Sequence, residues 1–338
     1  MQKTKQIFIV GSSRSGTTMM SRILSNHHKV FTFHELHFFS ILYKDTKKRL
    51  LSRDEQVSLF AKFLCIQSEG IFLRNNYKKY TLKAAKILPQ KKLTSIDIYS
   101  FFLNYTTIQN NAVISCEQTP NNIYYLKEIL DFFPQAKIII MVRDQRDVLL
   151  SQKNKWKRRF LGAKKIPIIE AIRSYFNYHP ILTSTMWSSS LDNGLKYKDN
   201  NNVKFIRYED LLDEPAIILK ELCSFVGIDF KKEMLEIPVV GSSTKQDQQQ
   251  KLYILKTNKK KWKKGGLNNA EIYLSQIFSD KIMKAFSYKK EVFIFPPSLT
   301  IFYLFIFPIK LLFSLSLNLS RIGNIKKVFI KTFRLNES

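Results

Sequence analysis

Cysteine is scarce. Cys65, Cys116 and Cys223 are three in 338 residues, far apart and outside any CxxC or Cys/His spacing. This excludes a disulfide framework and a structural zinc site, and it fits a reducing compartment. Glycine and proline number 10 each, too few for a collagen-like or low-complexity chain. Acids are short as well: 27 Asp and Glu against 55 Lys and Arg, a formal net charge of +28. Such a surface attracts nucleotides, nucleic acid, acidic glycans and anionic lipid alike. Lys, Asn, Ile, Phe and Tyr are abundant together, a compositional bias that accounts for much of this charge. Charge alone therefore selects no partner. The N-terminal stretch MQKTKQ is polar and Ile7 to Val10 is short, so no signal peptide or N-terminal anchor is expected. There is no internal repeat. Asn104-Tyr105-Thr106 matches a glycosylation sequon and is read as chance. What is present, 45% hydrophobic and 13% aromatic residues, supports one large domain with a full core, or a domain plus an appendage.

The apolar pattern predicts alternating strands and helices. Ile7–Val10 reads as a buried parallel strand stopped by Gly11, and Thr17–Ser25 as the helix after it. Val30–Phe33 reads as a second strand, and residues 38–112 as mainly helical, with Thr94 or Ser95 capping one helix. Val113–Ser115, Lys137–Val142 and Val203–Ile206 read as strands. Asn121–Phe133, the stretch from Asp147, and Ala216–Val226 before Gly227 read as helices. The alternation implies an α/β fold built on a parallel sheet. In such sheets ligands sit at the carboxyl ends of strands, where the motifs below fall.

The loop Gly11-Ser12-Ser13-Arg14-Ser15-Gly16-Thr17-Thr18 lies between the first strand and helix. A tight loop before a helix start gathers backbone amides and dipole at one point, an anion site. A nucleoside triphosphate would need Gly-x-x-x-x-Gly-Lys-Ser/Thr, but Thr17 occupies the lysine position. A dinucleotide would need a middle glycine, and Ser13 stands there. The run Arg14-Ser15-Gly16-Thr17-Thr18 resembles the 5′-phosphosulfate loop of sulfotransferases that use 3′-phosphoadenosine-5′-phosphosulfate (PAPS). Its arginine is similar to that of the tyrosylprotein and bacterial carbohydrate branches. A second motif, Arg143-Asp144-Gln145-Arg146-Asp147 with Ser151 beyond it, resembles that family's 3′-phosphate site, with Gln145 in place of the usual proline. Two phosphate anchors at opposite ends suit PAPS and do not suit ATP, which lacks a 3′-phosphate.

The resemblance, carried from about residue 5 to 288, implies a P-loop-like three-layer fold with a central parallel sheet flanked by helices. It implies a catalytic domain over 1–288 and a separate apolar-basic segment over 289–338. Ser12, Ser13, Arg14, Ser15, Gly16, Thr17 and Thr18 would hold the 5′-phosphosulfate, and Arg143 and Ser151 the 3′-phosphate. Tyr208, in Tyr208-Glu209-Asp210-Leu211, would lie near the adenine. Ser242 and Ser243 would add hydroxyls to the nucleotide's phosphate. Lys261-Trp262 resembles a basic residue–Trp pair before the last helix. Glu35 stands where the tyrosylprotein-like branch has its general base, flanked by His34 and His37. Gln118 departs from the family, many of whose members carry a lysine there to stabilise the leaving oxygen. Arg14, assisted by Gln118, would then carry that role, or a nearby lysine would replace it. No metal is expected.

Residues 38–112 and 153–200 are expected to shape the acceptor pocket. Leu299–Leu319 is apolar apart from Lys310, with Pro308 beside it and basic residues after it. This pattern is read first as interfacial contact with an anionic membrane surface through 292–334; the alternatives are packing on the domain or a partner, and a true span, against which the central Lys310 and Pro308 count. The expected location is cytoplasmic, peripheral at the inner membrane face. The acceptor is a hydroxyl of a glycan, glycolipid or tyrosine, with charge and tail favouring the first two. The alternatives are a catalytically weak PAPS-binding protein, a P-loop nucleotide kinase and a nucleic-acid-binding protein. No recognised nucleic-acid module supports the last, so nucleic acid is not an expected partner.

Overall fold

Strands β1 (Lys5–Gly11) and β4 (Lys137–Val142) carry unbroken apolar runs, from Ile7 to Val10 and from Ile138 to Val142, which are buried on both faces. Successive side chains alternate between faces. Ile7, Ile9, Ile139 and Met141 enter one core, with Met20, Ile23 and Leu24 of helix α1 (Thr17–Ser25). Phe8, Val10, Ile138, Ile140 and Val142 enter the other, a larger core rich in aromatic residues. In the computed structural model, which describes residues 4–43, 49–70, 72, 77–161, 166–239, 248–254 and 258–319, three further strands complete the sheet. These are β2 (Val30–Thr32), β3 (Ile114–Gln118) and β5 (Val203–Arg207). The order is β2-β3-β1-β4-β5 with every pairing parallel. Helices cover both faces, so the three-layer, P-loop-like α/β architecture expected from the sequence is present.

Strand order reverses at β1. The chain places β3 and β2 on one side of it and β4 and β5 on the other. The crevice above β1 is therefore the place where a ligand enters such a sheet. Helices α2 (Arg53–Glu69), α3 (Tyr77–Ile87) and α4 (Ser95–Gln109) fill the 38–112 stretch after a π turn at Phe38–Leu42. Thr94 caps α4 as expected, exchanging hydrogen bonds with Asp97 in a capping box. Beyond β3 come α5 (Leu126–Phe132) and, after β4, α6 (Gln145–Lys153), α7 (Ile168–Phe176) and α8 (Pro180–Leu195). Helices α9 (Tyr208–Asp213) and α10 (Pro215–Val226) follow β5, with Gly227 closing α10 at φ 75°. Helices α11 (Asn269–Phe278), α12 (Asp280–Ala285) and α13 (Leu299–Asn318) end the described chain.

Three boundaries differ from the sequence reading. Strand β3 runs on to Gln118, because its polar Glu117 and Gln118 are buried and turned to use at the site. The expected helix 121–133 divides into a 3₁₀ turn, Pro120–Tyr125, and α5. Strand β2 stops at Thr32, although the Phe33 amide still donates to Cys116 at 2.8 Å. Phe286 and Tyr288 belong to the main core. Helix α13 leans on α7, stacking Phe313 on Phe176 at 6.0 Å. It also leans on α8, with His179 against Phe307. Most of its apolar surface stays exposed, including Ile301 and Phe305 at 77% and 79%.

Candidate active site

The loop after β1 can only be built with glycine at both ends. Gly11 has φ 148°, and a Cβ there would lie 2.5 Å from the Met141 carbonyl oxygen. Gly16 has φ 98°, and its Cβ would lie 2.5 Å from the Tyr208 ring. Between them Arg14 takes the left-handed φ of 73°, and the Ser15 amide closes the turn onto the Ser12 carbonyl at 3.2 Å. Helix α1 starts at Thr17 with no side-chain cap and no acid in its first turn. Its amides and positive dipole end remain for an anion. Ser12, Ser15 and Thr17 are buried, Ser13 and Arg14 half-buried, Thr18 exposed. Ser15 Oγ is buried without a protein partner.

The second anchor touches the first. Arg143, at the end of β4, donates to the Arg14 carbonyl oxygen at 3.2 Å and to the Asn258 carbonyl oxygen at 3.0 Å. Arg14 Nε donates to Ser151 Oγ at 2.9 Å. Arg143 Nε is buried without a protein partner, and its guanidinium lies 4.4 Å over the Tyr208 ring. Tyr208 is thus wedged between Gly16 and Arg143 and braces both anchors. Burial, then repulsion from Arg158 and Arg143, pushes the Arg14 guanidinium down to about 10. It stays charged at neutral pH, but the cluster is electrostatically loaded and an anion would relieve it.

The other charges of this motif are built into the interior rather than left on the surface. Arg146 clasps Asp144 through two bonds of 2.9 and 2.7 Å and stacks 4.0 Å over Trp262. Asp147 lies 3.8 Å from Arg143 and accepts from the Trp262 amide at 3.0 Å. Gln145, in the usual proline position, donates to Ser184 at 2.6 Å. Glu209 accepts from the Asp144 amide at 2.9 Å and the Tyr288 hydroxyl at 2.8 Å. This web fixes Arg143 in place.

On the other side of β1, Glu35 follows β2 and remains 44% exposed. Gln118, at the tip of β3, donates to it at 3.1 Å, and His37 Nε2 lies 3.4 Å from its other oxygen. One residue the sequence reading passed over is Glu117, fully buried beneath this turn. It accepts from the Leu36 amide at 3.4 Å, from Asn122 at 2.8 Å and from the Thr119 hydroxyl. Burial, with a contribution from the Glu35 charge, pushes its carboxyl up to about 8. Lys155 and Arg158, one and two turns past Ser151, were also passed over. Both act electrostatically on Arg14 or on each other. Helical spacing from Ser151 was the available signal. Ser242 and Ser243 lie outside the described residues. Among the described residues no three His, Cys, Asp or Glu side chains converge as metal ligands.

The family model described as "Sulfotransferase family" matches residues 6–232. The chain belongs to the sulfotransferase family. The match ends short of residue 288, so the segment with Ser242, Ser243 and Trp262 lies beyond it. Among sulfotransferases, the 3-beta-hydroxysteroid sulfotransferase of Cavia porcellus is 24% identical over 145 residues, 41% of this chain and 50% of that protein. Sulfotransferase 6B1 of Mus musculus is 29% identical over 110 residues, 31% of this chain and 34% of that one. The matched stretch thus spans half or less of these curated relatives. The sulfotransferase domain of the Synechococcus PCC 7002 olefin synthase superimposes with a TM-score of 0.54 at 21% identity. That superposition covers 86% of this chain and 98% of the domain. The sulfotransferase domain from the curacin biosynthetic pathway gives a TM-score of 0.53 at 19% identity, covering 86% and 100%. These two likenesses establish the shared fold.

Proposed function

We propose that the chain transfers a sulfuryl group from PAPS to a hydroxyl of a glycan or glycolipid, within a catalytic unit of residues 1–288. The observation that carries this reading is the joined pair of anchors. Loop 12–18 and Arg143 follow the adjacent strands β1 and β4, Ser151 stands on α6, and Arg14 links them. Unspent buried polar groups, Ser15 Oγ and Arg143 Nε, occur at both. The loop amides, Ser12, Ser13, Ser15, Thr17 and Thr18 would hold the 5′ end. Arg143 and Ser151 would hold the 3′-phosphate as charge-assisted partners. Tyr208 would back the nucleotide from below, and Ser242 and Ser243, outside the described residues, would add hydroxyls to its phosphate.

Glu35 is the base. It is exposed toward the crevice and oriented from both sides by Gln118 and His37. It takes the acceptor proton as the acceptor oxygen bonds to sulfur. Arg14, at the bend of the loop, offsets charge on the departing oxygen. No step calls for a metal. The cationic surface and the exposed apolar face of α13 favour an acceptor held at an anionic membrane surface. That contact runs through 292–334, of which 320–334 lie outside the described residues. The proposed place is the cytoplasm, at the inner membrane face.

The test is a calorimetric titration with adenosine 3′,5′-bisphosphate (PAP) and with its analogue lacking the 3′-phosphate. The reading requires at least a tenfold loss for the analogue, the order of one charge-assisted contact. Equal affinities would end it. Glu35→Ala should bind PAP as the wild type does and lose about 10²-fold or more in turnover. A second reading, a PAPS-binding protein with little turnover, is favoured by the neutral Gln118. Transfer of labelled sulfate to any acceptor hydroxyl rejects it.

A further inference from the structure

Sulfuryl transfer leaves negative charge on the bridging oxygen, and Gln118 brings only a neutral amide, one of whose two N–H groups is engaged with Glu35. The structure offers another cation. After α6, the chain tightens into a 3₁₀ turn, Lys155–Phe160. Side chains at i and i+3 eclipse in such a turn, so Lys155 and Arg158 share one face.

Side chains four apart on a helix are neighbours, so Lys155 continues the face of Ser151, and that face meets the loop. Ser151, one helical turn before Lys155, is bonded to Arg14 at 2.9 Å. Arg14 and Arg158 both lower the Lys155 ammonium pKa, after burial as the largest cause, while Glu35 raises it. Lys155 as a residue is exposed, while its ammonium end is the part buried among these groups. The other side of the turn is anchored. The Trp156 ring meets Phe160 and Tyr175 edge-on at 6.3 and 6.0 Å. Trp156 and Lys157 line a separate cavity of about 370 Å³ between this turn, α8 and α13. The turn is thus packed on one side and presents two cations on the other.

We propose that Lys155 is the second cation of the transfer site, meeting the sulfonate oxygens as the bridging S–O bond breaks. The proposal rests on the sulfuryl-transfer reading above. An acceptor oxygen pair forms the new S–O bond. The pair of the broken bond passes to the 5′-phosphate oxygen of PAP, and the acceptor proton passes to Glu35. Lys155 keeps its own proton throughout and contributes charge. Three cations, Arg14, Lys155 and Arg158, then face a site in which Glu35 is the nearby counter-charge, and the incoming sulfonate relieves their repulsion.

The test separates PAPS from PAP, which differ only in the sulfonate. Lys155→Met in the full chain should keep the wild-type melting temperature and bind PAP within about twofold. It should bind PAPS about fivefold to tenfold more weakly, the order of one charge-assisted contact. Turnover should fall about 10²-fold. Lys155→Arg should restore most of both, and Gln118→Lys in the Lys155→Met background should restore turnover. Equal losses for PAPS and PAP would assign Lys155 a structural role and overturn the proposal, as would no loss in either. A wild-type chain that binds neither nucleotide would instead remove the parent reading.

Discussion

Glu117 is the residue on which the position of the proposed base depends. Its three hydrogen bonds fasten the turn bearing Glu35 to the 3₁₀ turn after β3. Burial holds its carboxyl at about 8 in the folded protein, against an ordinary value of 4.5 when exposed. Between these values the folded chain holds a proton that the unfolded chain releases. Stability from this group is therefore complete below the unfolded value and is lost as pH rises through the folded one. The melting temperature should decline from pH 5 to pH 8.5 on this account. Glu117→Gln, which cannot titrate, should show a visibly flatter profile. Superimposable slopes for the two proteins would show that Glu117 does not govern the pH response.

At the scale of elements, the strand–loop–helix unit at the N-terminus was readable because each part has an unambiguous local signature. A β-branched run, a Gly-bounded loop and a helix from Thr17 to Ser25 leave little choice, and the helix limits agree to the residue. Strand β4 was readable for the same reason. Strand β3 was readable only at its start, Val113–Ser115, since its site end is polar and a buried Glu-Gln pair has no apolar period to reveal it. The 3₁₀ turn at Lys155 was also hidden, because its orientation depends on aromatic packing with α7, far along the chain. Arg143 could be found by motif, but not the enclosure of Asp144, Arg146 and Asp147, which needs Trp262 and Glu209 brought from distant segments. Gly16 gives a test at this scale. Gly16→Ala should weaken PAP binding at least tenfold, because its methyl meets the Tyr208 ring. Tyr208→Ala in that background should recover only part of the loss, since the φ of 98° remains. Unchanged PAP affinity in Gly16→Ala would refute the assigned loop geometry.

At the scale of the molecule, the surface is divided. Among the described residues, α13 is the helix long and apolar enough to cross a membrane, and only 6% of its apolar window is buried. It does not stand alone. Ile168, Ile169, Ile172 and Tyr175 of the neighbouring α7 are exposed too, as is Phe160. These side chains extend the apolar area toward the turn that carries Lys155. A patch of this kind, close to basic residues, suits shallow insertion among anionic headgroups. Phe305→Glu should leave the melting temperature unchanged and reduce co-sedimentation with phosphatidylglycerol-containing vesicles severalfold. Equal sedimentation of variant and wild type would remove α13 from the contact.

Cys65, Cys116 and Cys223 are all buried as thiols. Burial raises Cys116 far above its ordinary value and Cys223 to about 11. Neither of these two presents an accessible thiolate at neutral pH. The native protein should therefore be nearly silent to maleimide reagents while folded. One cysteine introduced on the outer face of α13 would then report, by its fluorophore alone, whether that face has left water.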